Sequence, residues 1–100
     1  MNGTQDARFP LGRVHVTERA AQVLNETDET LPVLLMRHGR GDWGKVTEFR
    51  KRKNEEAIKN GGVLISVHLT SKKAPVRILT RADRTRTVIY TMQDLYGDRP

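Results

Sequence analysis

Cysteine is absent from this 100-residue chain, so no disulfide can staple it and no thiolate can bind metal or act as a nucleophile. A small secreted disulfide scaffold is excluded. Long apolar runs are also missing. The longest, Val33 to Met36, falls far short of the ~18 residues a membrane span needs. Met1 to Pro10 lacks the apolar core of a signal peptide, so a soluble, cytoplasmic protein without membrane partners is expected. Histidine is sparse. His15, His38 and His68 stand far apart, with no HExxH string, so no metal site is predicted. Gly39-Arg40-Gly41-Asp42-Trp43-Gly44 spells G-x-G-x-x-G, but a dinucleotide site needs a parallel βαβ unit around it. The remaining sequence cannot supply one, and no cofactor is expected.

Enough apolar residues are present to fold. Leu, Ile, Val and Phe total 24, above the roughly 20% below which a charged chain stays disordered. One hundred residues make a single domain. Lys and Arg number 18 against 12 Asp and Glu, and the excess is concentrated. Residues 37–86 carry fourteen basic and five acidic side chains, whereas both flanks are slightly acidic. Such a block is an electrostatic footprint for a polyanion, of which nucleic acid is the commonest.

Along the chain, residues 1–10 read as a flexible tail, 11–96 as the domain and 97–100 as a second tail. Val14 to Val16 can form a short strand. Thr17 offers an N-cap for a helix through Leu24. Leu31 to His38 suits a helix, with Thr30 as N-cap and Pro32 in its first turn. A basic helix is predicted from about Thr47 to Asn60, closed by Gly61-Gly62. Strands follow at Val63–Leu69, Val76–Arg81 and Arg86–Met92. This order predicts an α+β fold, with N-terminal helices packed on one face of a C-terminal three- to four-stranded antiparallel sheet. Alternation places Val63, Ile65, Val67 and Leu69 on the core face with Val76, Ile78 and Thr80. Ser66 and His68 then fall on the open face beside Arg77 and Arg81.

The order of residues also carries a resemblance. His38, Gly41-Asp42-Trp43-Gly44, Asn54, Ala57, Gly61, Ser66, then Thr80-x-Ala82-Asp83-Arg84 and Thr87 resembles a family of small proteins carried by plasmids, phages and genomic islands. Members share an L-G-R-V start (Leu11 to Val14), an R-H-x-x-G-D-W-G loop (Arg37 to Gly44) and an I-T-E-A-D-R-S-x-T-T stretch (Leu79 to Val88). The likeness covers residues 11–96. It implies a mobile-element accessory protein and carries no established activity. Arg81 stands where the family has Glu, His68 where Tyr is common, Val88 for a second Thr, and Met92 for Pro.

Three functional readings follow. The first is nucleic-acid binding, to RNA or DNA, through Arg50, Lys51, Arg52 and Lys53 of the basic helix. These would form one continuous surface with Arg77, Arg81 and Arg84 of the sheet. The second is a metal-independent endoribonuclease, similar in architecture to barnase and RelE-like toxins. His38 would be its acid or base, Arg81 and Arg84 would hold the phosphate, and Ser66 and Thr87 would position it. The third is a protein-binding module, a possible homodimer, acting on a host machine. In all three, Gly41, Asp42, Trp43, Gly44, Asn54 and Asp83 form structural turns. Trp43 anchors its loop or offers a platform to a base. Asp42 caps the turn and can pair with Arg84.

Overall fold

Thr17 and Thr47 start two helices in the same way. Each hydroxyl oxygen accepts a backbone N–H three residues on, from Ala20 at 3.1 Å and Arg50 at 3.0 Å. That satisfies an otherwise unpaired donor of the first turn. The computed structural model describes residues 7–96, with helices α1 (Glu18–Asn25), α2 (Leu31–Gly39), α3 (Glu48–Asn60) and α4 (Met92–Tyr96) and strands β1 (Arg13–Val16), β2 (Leu64–Leu69), β3 (Pro75–Thr80) and β4 (Arg86–Tyr90). Pro32 sits in the first turn of α2, where its missing N–H costs nothing. The Gly61 N–H closes α3 on the Ala57 carbonyl at 2.9 Å.

The fold is α+β, but the sheet is mixed. Its order is β1-β4-β3-β2. β2, β3 and β4 form the antiparallel meander, and β1 joins β4 in parallel, with Arg13 opposite Arg86 and Val16 opposite Ile89. The expectation of a purely antiparallel sheet is corrected on this point. A parallel partner needs a long crossover, and here that crossover is the rest of the domain. β4 stops at Tyr90 rather than Met92. Asp94 takes the Thr91 N–H at 2.7 Å and the Thr17 hydroxyl at 2.7 Å, which turns the chain into α4 and ties α4 to the start of α1.

α1, α2 and α3 lie on one side of the sheet. Ala20 of α1 and Leu34 of α2 pack with Val76, Ile78 and Ile89. Ala57 of α3 and Trp43 pack with Leu64 and Phe9. The tail prediction is therefore corrected for its last residues. Phe9 is buried, stacked on Trp43 with ring centroids 6.2 Å apart, and Arg8 makes a two-pronged ion pair with Glu55. A lone aromatic in a polar stretch has no periodicity to announce it. Residues 1–6 of the first predicted tail and all of the second lie outside the described residues. An apolar groove of about 840 Å³ runs between residues 7–14 and α2, lined by Leu11, Val14, Leu35 and Met36 among others.

The face of β2 is opposite to the one alternation suggested. Ser66 pairs across with Ile78 and His68 with Val76, so Leu64, Ser66 and His68 face the helices. Ile65, Val67 and Leu69 share the other face with Arg77 and Leu79. A strand with apolar residues at both parities can be set either way by pattern. The polar partners buried under it decided. No helix is long and apolar enough to cross a membrane among the described residues.

Candidate functional site

His38, Ser66 and Thr87 do come together, but in the interior. All three are fully buried, as are Thr80 and, nearly so, His68. They form one chain of hydrogen bonds. His68 Nε2 lies 3.1 Å from Ser66 Oγ, and Ser66 Oγ lies 2.7 Å from His38 Nδ1. His38 Nε2 lies 2.9 Å from Thr80 Oγ1, Thr80 Oγ1 lies 2.7 Å from Thr87 Oγ1, and Thr87 Oγ1 lies 2.7 Å from the Leu11 carbonyl. The last contact sets the direction of all the others. A carbonyl only accepts, so Thr87 spends its one proton on Leu11. Thr80 must then donate to Thr87, and His38 Nε2–H must donate to Thr80. A neutral His38 has an acceptor at Nδ1, which Ser66 fills, and His68 Nε2–H donates to Ser66. Both rings are therefore the Nε2–H tautomer. The Nδ1 of His68 is left buried without a hydrogen-bond partner, beneath Gly44.

Burial holds both rings neutral. It pushes His38 down to about 3, with His68 adding to the shift, and His68 down to about 4, with Arg37 opposing and Asp42 favouring its charge. The unfolded chain takes these protons near pH 6.5. Stability is thus fully present above pH 6.5 and is lost as pH falls towards 4, by roughly 1.4 kcal/mol per pH unit for each ring. Urea denaturation at pH 7, 5.5 and 4.5 should give steadily lower unfolding free energies over that range. A flat profile would disprove the neutral buried pair, as would an Nδ1–H signal from either ring in ¹⁵N NMR.

The geometry disposes of the catalytic assignment. His38 has no exposed surface, both its nitrogens are occupied, and Phe9 and Trp43 meet it edge-on at 5.4 and 5.7 Å. Arg84 is elsewhere. Its guanidinium donates to the carbonyls of Gly62 at 2.6 Å, Ala57 at 2.8 Å, Arg81 at 3.0 Å and Ala82 at 3.2 Å. It also lies over Phe9, 5.7 Å from the ring centroid. It clamps the end of α3 to the β3–β4 turn through four backbone carbonyls, so it is corrected from a phosphate ligand to a structural residue. It does not pair with Asp42, which instead binds Arg37 Nε at 2.7 Å.

The Gly41–Gly44 loop has a structural role. Asp42 accepts the Gly44 N–H at 3.3 Å, and Arg37 holds its carboxyl below the usual range. Trp43 is buried, with Nε1–H donating to Glu55 at 3.2 Å, so it is no platform for a base. The loop backbone seals one margin of the sheet. Val67 N–H donates to the Trp43 carbonyl at 3.0 Å, and Lys45 N–H to the Val67 carbonyl at 2.7 Å. Asn54 does the same one step along, with its amide bonding both the Ile65 carbonyl (2.8 Å) and the Ile65 N–H (3.1 Å). A buried amide on a thin apolar stripe thus satisfies a strand edge. Asp83 accepts from the Thr85 N–H at 3.0 Å and its hydroxyl at 2.6 Å, shaping the β3–β4 turn.

The basic residues separate into layers. Arg50, Lys51, Arg52 and Lys53 belong to α3 in the helix layer, where Lys51 pairs with Glu48 and Lys53 lies over Phe49. Arg77 and Arg81 belong to the other side of the sheet, so the single continuous surface is corrected to two. On that other side Arg13, His15, Arg81 and Arg86 are exposed and Ile65, Val67, Arg77, Leu79 and Val88 half-buried, while Tyr90 at the α4 end is buried. The residues of this side form rows across the strands. Arg81, Arg86 and Arg13 make one row, joined by the Arg81 N–H to Arg86 carbonyl bond at 3.0 Å and the Arg13–Arg86 register. Ile65, Leu79, Val88 and His15 make the next. Val67, Arg77 and Tyr90 make the third, with Arg77 Nε 3.3 Å from the Tyr90 hydroxyl. Asp83, 3.9 Å from Arg81, is the one acid paired with these arginines among the described residues. Arg13 and Arg86 were not singled out from sequence, because only the parallel β1–β4 register brings them together.

Comparison with family models, curated proteins and solved structures finds no match for this chain.

Proposed function

We propose that the protein binds nucleic acid through the arginine-bearing face of its sheet. The observation that carries this reading is the row Arg13, Arg86 and Arg81, set side by side on adjacent strands. Like charges directly opposite one another across a sheet are destabilising, and one carboxylate 3.9 Å from one end does not balance three guanidiniums. A polyphosphate backbone laid along the row does balance them, and guanidinium forks match phosphate oxygens two bonds at a time. No comparable observation favours cleavage, since His38 has no route to a substrate.

Affinity is expected to fall linearly with salt on logarithmic axes, by ~0.7–0.9 per phosphate neutralised. The double substitution Arg13→Ala/Arg86→Ala should weaken binding about tenfold or more in low salt and flatten that slope by about two phosphate contacts. Arg52→Ala/Lys53→Ala on α3 should stay within about twofold of the parent. Electrophoretic binding across a salt series reads all three. Loss in the α3 variant with the sheet variant unaffected would move the site to the helix. Salt-insensitive behaviour towards every DNA and RNA would end the proposal.

A further inference from the structure

The row beside the arginines is apolar. Ile65, Leu79 and Val88 stand opposite one another on β2, β3 and β4, all half-buried, and His15 completes the row on β1. On its far side Arg77 lies between Val67 and Tyr90. An aliphatic strip thus runs between two cation-bearing rows, each ~7 Å away, the distance of two residues along a strand.

A duplex is a poor fit to this pattern. It turns its phosphates outward and its base faces inward, and its grooves admit a helix or a two-stranded ribbon. A four-stranded sheet, ~15–20 Å across at ~4.8 Å per strand step, enters only if the duplex is bent and its groove opened, at a deformation cost. Pressed against an unbent duplex, the strip would meet phosphates and bury nothing. A single strand can place its phosphates on the arginines and lay unstacked bases on the apolar row, with a guanidinium such as that of Arg77 stacking beside them. A second copy of the chain set face to face is disfavoured by charge, because it would bring arginine rows together with no row of acids to meet them. We infer that the ligand of this face is a single-stranded polynucleotide, with its backbone along Arg13–Arg86–Arg81 and its bases against Ile65, Leu79 and Val88. This rests on the sheet-face reading above.

The test uses the full chain with unstructured pyrimidine-rich 20-mers of RNA and of DNA, and with the matching duplexes, at one salt concentration. Single strands of at least one sugar type should bind at least tenfold more tightly than the duplexes. Methyl resonances of Ile65, Leu79 and Val88 should shift on titration. The double variant Leu79→Ser/Val88→Ser should bind single strands about five- to tenfold more weakly with an unchanged salt slope. The comparison of strands and the methyl titration need no variant, so a folding defect in the serine protein leaves the test intact. Duplex binding as tight as single-strand binding would overturn the inference, as would methyls that stay unmoved. Methyl shifts that track protein concentration instead of oligonucleotide would also overturn it and assign the face to a second copy. If the Arg13→Ala/Arg86→Ala protein still loses duplex affinity in such a case, the sheet-face reading stands and the single-strand inference alone falls. If no polynucleotide binds, both fall.

Discussion

Replacing His38 by alanine is expected to remove about 4–8 kcal/mol of folding free energy, most or all of what a domain of this size holds. Two losses add. The ring packs edge-on against the stacked pair of Phe9 and Trp43, and deleting a buried ring of comparable bulk costs about 3–5 kcal/mol. The Ser66 hydroxyl then lacks its acceptor and Thr80 its donor, at about 1–3 kcal/mol for a stranded buried group. Urea denaturation measures the sum. Two further substitutions divide it. His38→Gln keeps one acceptor and one donor, while His38→Leu keeps apolar bulk and offers neither. The glutamine protein should be the more stable of the two. If leucine matches or exceeds it, the hydrogen-bond chain contributes nothing beyond packing.

Gly44→Ala should be nearly as damaging, at about 3–4 kcal/mol or more, for a backbone reason. Gly44 has φ +71°, where a Cβ is strained. The added Cβ would press into the Val67 carbonyl oxygen and stand 2.9 Å from His68 Nδ1. The first contact is backbone on backbone and cannot be relieved by a rotamer. The loop must lift from β2, which also breaks the two bonds it makes to Val67. Gly61→Ala is the control. Its φ of +88° with ψ 152° is also a conformation that glycine adopts far more freely than other residues, but no atom lies within 4 Å of the new Cβ. It should cost only the backbone strain, about 1–3 kcal/mol. Equal losses at the two positions would mean that dihedral strain, and not the docking of the loop on β2, limits stability.

What could be read from sequence was local. The threonine that caps α1, the proline in α2 and the glycine after α3 each act within one turn, so their effect is written in neighbouring residues. The three strands of the meander were legible for the same reason. What could not be read depends on distant partners. Phe9 gains meaning only when Trp43 stacks on it. β1 is placed parallel to β4 by contacts more than 70 residues away. β2 turns Ser66 and His68 inward because His38, Thr80 and Thr87 wait there to satisfy them, and no alternation pattern in β2 alone carries that information. The same inversion emptied the supposed catalytic face and left an arginine row, two of whose members had looked unconnected.

The two margins of the sheet are unlike. Along β2 the outward backbone groups of Ile65 and Val67 are already occupied by Asn54 and by the Trp43–Lys45 loop. Along β1 no strand lies beyond among the described residues. Edge-to-edge growth needs two vacant margins per molecule to propagate. With one margin closed, two molecules meeting β1 to β1 would exhaust their free edges at once. Strand addition therefore stops at a pair, and the native fold has no path to an open-ended fibre by that route.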